Sequence, residues 1–255
     1  MTGLLYKELR QNRLILLGAV LIPVMLAFVT VISVAGDAHS LQNALNVLSG
    51  NIGTVTRLFM MLLGMVLLSI MTGIIFSMDE SKKWAFFTAS HPQGYRGQLY
   101  MKYVVLFMVL GLYFVSMYYM DALLQMLVYQ VTGTELTGFT NLYVIVFFLQ
   151  IFVNAWNIPF MVRFGVKNSA YARCIALLVL VVILLVYLLF GPLPGGWDSY
   201  VRMMTDFLDQ LLKGELNGII SVIFGAFPLA AVGLYLLSYR ISCKLFMKGA
   251  AEYVK

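Results

Sequence analysis

Residues 77–103 read SMDESKKWAFFTASHPQGYRGQLYMKY and separate two strongly apolar runs. Ser77 and Glu80 have the capping-box spacing that satisfies free N–H groups at a helix start. Asp79 and Glu80 fall in the first turn, where the helix dipole favours negative charge. Trp84 and Phe87, three apart, share one face of the short helix so defined. Pro92 and Gly94 stop it, and a second helix restarts near Tyr95 and runs through Lys102 into the next apolar run. Two readings of the stretch stand side by side. One is a helix lying flat beneath a membrane and offering an aromatic knob to a partner. The other is a helix resting on lipid head groups, with Trp84 as interfacial anchor.

The flanking runs decide the class. Hydrophobic residues make up 62% of the 255, charged residues 11%, and the mean hydropathy is +0.91. An ordinary soluble domain is about half apolar and about a quarter charged, and a chain this short has no interior large enough to hide the excess. The sequence predicts an all-α polytopic membrane protein: a single transmembrane domain over 1–255 with six spans at about 14–35, 58–76, 103–120, 142–162, 171–190 and 218–237.

The connections carry their own patterns. Residues 2–13 form an amphipathic start, with Leu5 and Leu9 four apart and Lys7, Arg10 and Arg13 for an anionic leaflet. An outer loop at 36–57 includes a short helix with Leu41, Leu45 and Leu48, capped by Ser40 and ended by Gly50. In the second span Ser69, Gly73 and Ser77 make a small-residue stripe that permits close helix contact. Asp121 falls just past the third span, about 28 Å above Lys102 at ~1.5 Å per residue, and is expected to be solvated at the far interface. Tyr118, Tyr119 and Tyr129 suit an aromatic belt there. In the fourth span Gln150, Asn154 and Asn157 follow i, i+4, i+7 spacing and form one polar stripe. Such a stripe either hydrogen-bonds a neighbouring helix or walls a translocation path. The fifth span is aliphatic enough to face lipid. Between the fifth and sixth spans Trp197, Tyr200, Met204, Phe207 and Leu208 gather along one side of an amphipathic helix. That helix is too charged to cross, and it suits the outer interface or a lid.

Charge sets the orientation. Of the 17 Lys and Arg, only Arg57, Arg202 and Lys213 fall on one side of the six-span scheme. By the positive-inside rule both termini and the 77–103 stretch are cytoplasmic. The formal charge of +6 thus serves membrane topology and calls for no nucleic acid. Cys174 and Cys243 fall on the reducing side and form no disulfide framework.

Chemistry is sparse. There is no GxxxxGK[ST] loop to cradle nucleotide phosphates, no HExxH, no Cys/His ligand cluster and no GxSxG elbow. No catalytic residue, cofactor site or metal site is expected on this chain.

Three places resemble the type-2 ABC exporter permeases, small bacterial membrane subunits whose ATPase is a separate chain. They are Leu5-Tyr6-Lys7-Glu8; Asp79-Glu80 with Trp84, Pro92 and Lys102-Tyr103; and Pro159 followed by Arg163-Phe164-Gly165 and Lys167. The resemblance implies a bacterial cytoplasmic-membrane protein that pairs with a second permease chain, identical or closely related. It implies that ATP and Mg bind the partner ATPase beneath it. It makes 80–90 a coupling helix, with Asp79, Glu80, Trp84, Phe86, Phe87 and His91 touching the ATPase and Arg163 and Lys167 in a second contact. It places the 197–213 helix at the exit. Within the family the chain is similar to exporters of amphipathic cytolytic peptides, the phenol-soluble modulins. Exporters of lantibiotics, drugs or lipids are alternatives, as is a non-transporting membrane sensor or scaffold.

Overall fold

A computed structural model of the chain describes residues 2–35, 51–77, 94–133, 138–190 and 219–253. Regular structure among these residues is entirely helical: α1 (Thr2–Gln11), α2 (Arg13–Ala35), α3 (Asn51–Ser77), α4 (Gly94–Thr132), α5 (Thr140–Phe190) and α6 (Ile219–Tyr253). Large apolar side chains such as Met25, Phe28, Phe59, Leu62 and Leu229 point outward. That surface suits lipid, where a helix satisfies every backbone polar group internally. Among the described residues four helices are long and apolar enough to cross a membrane, and α1 with α2, bent by 54° across Asn12, brings the number to five when the pair is counted as one span.

Side-chain contacts give the course of each helix. Lys102 reaches Ile75, Tyr113 lies against Gly64 and Asp121 pairs with Arg57, so α3 and α4 are antiparallel. Tyr143 lies near Arg57 and Asp121, and Phe147 packs on Phe107 and Phe114. The first arm of α5 therefore also runs against α4. So does α6, because Tyr235 packs on Phe107 and Tyr103 while Phe246 stacks on Tyr95. The α5 arm and α6 are consequently parallel, and the chain between them has to recross the bundle. The break that permits this is Gly165, at φ 76° and ψ 163°. That backbone region is essentially closed to side-chain-bearing residues. The α5 arm beyond it, 166–190, is about 37 Å long at ~1.5 Å per residue. Its described apolar side chains, Tyr171, Ile175, Leu178 and Ile183, are exposed, as the aliphatic fifth span predicts.

Several boundaries move. Residues 51–57 belong to α3, so the expected outer loop gives way to helix at Asn51. The α4 helix runs well past the expected end at 120, to Thr132. Gly133 ends it at φ 68°, its N–H donating to the Tyr129 carbonyl at 2.9 Å. Asp121 is consequently not solvated; it is 5% exposed and ion-paired with Arg57 at 2.6 Å. A counter-charge 64 residues away leaves no trace in local spacing. The short helices expected at 40–50, 80–90 and 197–213 lie outside the described residues.

The α1 helix does more than rest on a leaflet. Leu5 and Leu9 pack on the core, while Tyr6 and Arg10 stay exposed. Glu8, only 1% exposed, accepts from Asn12 Nδ2 at 3.4 Å, and the same nitrogen donates to the Glu8 carbonyl at 2.9 Å. This local network sits at the bend into α2.

One core contact has no slack. A Cβ added to Gly64 would overlap the Tyr113 hydroxyl, and Tyr113 is buried with that hydroxyl unpartnered among the described residues. Gly64→Ala is expected to cost about 1–3 kcal/mol through overpacking. Tyr113→Phe should restore part of this in the double variant and should be neutral or stabilising alone, because it removes an unsatisfied polar atom. Thermal unfolding of the three variants in one detergent checks this; an unchanged Gly64→Ala would contradict the contact.

Candidate functional site

The polar stripe of α5 faces α3. Gln150, Asn154 and Asn157 are all buried, and the partners of Gln150 and Asn154 sit on the small-residue side of α3. Gln150 Nε2 donates to Ser69 Oγ at 3.3 Å, and Ser69 in turn donates to the Met65 carbonyl. Thr72 Oγ1 lies 3.1 Å from Asn154 Oδ1. Gly73 is buried on the same side of α3, and a Cβ there would meet Val166 just beyond the Gly165 break at ordinary contact distance. The stripe read from α3 thus meets the stripe read from α5.

Asn154 carries a surplus. The Thr72 hydroxyl has one proton and already reaches the Leu68 carbonyl at 3.0 Å. Turning the Asn154 amide over lets its nitrogen donate to Thr72 instead, which fits the donor inventory better. As oriented, Nδ2 has no partner among the described residues; turned over, Oδ1 is left over. One polar atom of a fully buried amide remains unused in either case.

The signature residues Lys102 and Tyr103 tie three helices together at the opposite end from Asp121. Lys102 Nζ donates to the Ile75 carbonyl at 2.8 Å and lies 5.3 Å from the Phe76 ring centre. It supplies the last turn of α3 with the positive charge that helix carbonyl ends favour. The Tyr103 hydroxyl shares hydrogen bonds with Ser238 and Ser242 at 2.9 and 3.0 Å, while Tyr235 Oη donates to the Tyr103 carbonyl at 2.8 Å. The first turns of α4 are thereby fastened directly to α3 and α6. Ser238 and Ser242, four apart on one helix face, were a legible signal for this seam.

Arg163 and Lys167 straddle the Gly165 break. Lys167 is exposed, whereas Arg163 borders an apolar groove between α5 and α6. The residues expected to touch an ATPase, Asp79, Glu80, Trp84, Phe86, Phe87 and His91, and those expected in an outer helix, Trp197, Tyr200, Met204, Phe207 and Leu208, lie outside the described residues. Among the described residues no cluster of His, Cys, Asp or Glu could hold a metal ion.

At the far end, Arg57 Nε and Nη2 both donate to Asp121 Oδ1, at 2.9 and 2.6 Å. Gln125 Nε2 donates to Oδ2 at 2.9 Å, and the Arg57 guanidinium lies 4.4 Å from the Phe139 ring centre. This pair clamps α3 to α4. Sequence reading placed Arg57 and Asp121 on the same side without joining them.

Lipid-facing helices held by a polar seam between α3 and α5 define a multi-pass membrane protein. A comparison with protein families makes this specific: the family described as ABC-2 family transporter protein matches residues 44–247, and the chain belongs to that family. Nothing matches among curated proteins or among solved structures. Membership makes the chain a transport component of the cytoplasmic membrane, and the family implies an ABC ATPase as its partner.

Proposed function

We propose that this chain is the permease subunit of an ATP-driven exporter that moves amphipathic peptides out of a bacterial cell by alternating access. The family match over residues 44–247 carries the reading. The chain has no phosphate-binding loop of its own, so nucleotide and Mg belong to a separate ATPase, docked on Asp79, Glu80, Trp84, Phe86, Phe87 and His91 with Arg163 and Lys167 as the second contact. A second permease chain completes the path.

Six crossings with both termini cytoplasmic are supported by two features. The parallel course of the first α5 arm and α6 demands a crossing between them, for which 166–190 is long enough. At the α1 end of the bundle lie Arg10, Arg13, Arg96, Lys102, Arg163, Arg240 and Lys244. At the other end, among the described residues, Arg57 is already matched by Asp121. The distribution of Lys and Arg over the described bundle thus runs in the direction the positive-inside rule requires.

The path is assigned to the α3–α5 seam, where Gln150, Asn154 and Asn157 stand. In this arrangement the seam is closed, so the residues hold helices together in one state and face the substrate in another. The unused amide atom of Asn154 supports the second role. The helix of Trp197, Tyr200, Met204, Phe207 and Leu208 is assigned to the outer gate.

Transport tests the reading. Proteoliposomes holding the permease with its ATPase should move an amphipathic peptide only when ATP is supplied. Asn154→Leu should lower that rate per folded molecule while leaving the unfolding temperature close to the parent's, since an interhelical hydrogen bond in lipid averages only about 0.6 kcal/mol. Loss of stability with normal transport per folded molecule would remove these residues from the path. ATP-driven movement of a lantibiotic, drug or lipid with no response to peptides would replace the substrate class.

A further inference from the structure

The polar stripe of α5 starts earlier than Gln150. Tyr143, two turns before it, falls on the same helix face and is buried. Its hydroxyl is within hydrogen-bonding reach of the Asp121 carboxylate. Phe139, just ahead of α5, has its ring centre 4.4 Å from the Arg57 guanidinium. The Tyr143 N–H donates to the Phe139 carbonyl at 2.9 Å, which fixes the two aromatics relative to each other. Together they grip an ion pair whose members belong to α3 and α4.

The ties along the α3–α5 seam are unequal. Gln150 with Ser69 and Asn154 with Thr72 are neutral pairs, of a kind that contributes modestly in lipid. At the Arg57 end the acceptor is a carboxylate, and charge-assisted hydrogen bonds are roughly twice as strong as neutral ones; the Phe139 contact adds a cation–π attraction. This end is also able to let go. When Phe139 and Tyr143 leave, Asp121 keeps two donors from Arg57 and one from Gln125. Neither charge is orphaned, and an orphaned charge is what makes breaking a buried pair costly. The α3 and α4 helices stay joined while α5 parts from α3. Met60, Met117 and Met120 line a cavity beside the contact, and their flexible side chains can refill the space of a departing ring.

On the reading that this seam is the transport path, we propose that Phe139 and Tyr143 are its outer catch. Seated on the Arg57–Asp121 pair they hold the seam shut at the end away from α1, and the seam opens toward that side when they leave the pair.

Alkylation of a cysteine placed behind the catch measures its opening. Val146, about one turn beyond Tyr143 and buried, is replaced by Cys in the full-length chain with Cys174→Ser and Cys243→Ala. The protein is inserted in one orientation in lipid vesicles and exposed to a membrane-impermeant maleimide on one side at a time. Reaction requires the open form, so its rate follows the open population. Tyr143→Phe removes the hydroxyl and keeps the ring. It should raise the rate about tenfold, the effect of one hydrogen bond to a charged group, and only from the side away from α1. Phe139→Leu should act in the same direction, and it decides if Tyr143→Phe does not fold. An unchanged rate overturns the proposal. So does an equal rise from both sides, which would mean that the substitution loosens the whole bundle. Adding the ATPase with a non-hydrolysable ATP analogue separates the catch from the wider reading. A rate that responds to Tyr143→Phe and not to nucleotide supports the catch and counts against an ATP-driven exporter.

Discussion

Asp121→Leu is expected to cost about 3–5 kcal/mol of stability, because it leaves the Arg57 guanidinium buried without its counter-charge. Arg57 is 4% exposed, and the face of Phe139 beside it cannot replace a carboxylate. Gln125 loses an acceptor in the same substitution. Removing both charges should be far milder: Arg57→Leu with Asp121→Leu should recover most of the loss, since an apolar pair of similar volume commonly equals a buried ion pair. Thermal unfolding of the two single variants and the double variant completes a thermodynamic cycle. A single variant as stable as its parent would mean that the pair is not buried in the membrane-embedded protein.

The second large effect is expected at the 77–103 stretch and concerns assembly. An exporter permease must take force from an ATPase it does not contain, and interfaces of this kind are anchored by a few large buried aromatics. Trp84 and Phe87 share one face of the expected helix, with Asp79, Glu80, Lys82 and Lys83 around them. Losing such an anchor commonly costs on the order of 2 kcal/mol or more, and rim charges cost less. Trp84→Ala with Phe87→Ala should therefore strip the ATPase from the purified permease, while Lys83→Ala should leave most of it bound. Neither change touches a span, so insertion should be normal. In the proposed exporter, force entering here would reach Lys102 and Tyr103, whose side chains grip the end of α3 and the face of α6. A double variant that keeps its ATPase and its transport would make the helix a membrane anchor only.

What the sequence disclosed, and what it withheld, follows from the range of each interaction. Helix type and the inward face of α5 depend on residues within two turns of each other, so the Gln150–Asn154–Asn157 stripe was legible. So was the small-residue face of α3 that receives it. A connection between the fourth and fifth spans was legible as the gap at 163–170, though its form was not: helix resumes immediately after Gly165. The Arg57–Asp121 pair was not legible, because each residue on its own resembles an interfacial charge and only the antiparallel register of α3 and α4 brings them together. Gly64 was hidden for the same reason; its requirement comes from Tyr113 on another helix. The apolar groove beside Arg163 needed the parallel course of α5 and α6, which no local pattern encodes.

The central claim is that this chain is the permease half of an ATP-driven machine. Affinity purification of the tagged chain from its own membranes in mild detergent, with identification and assay of what accompanies it, tests this most directly. The account predicts a soluble ABC ATPase in amounts matching the permease, with ATP hydrolysis stimulated by amphipathic peptides. A chain that purifies without any ATPase, or with a histidine kinase in its place, would contradict it and favour a membrane sensor.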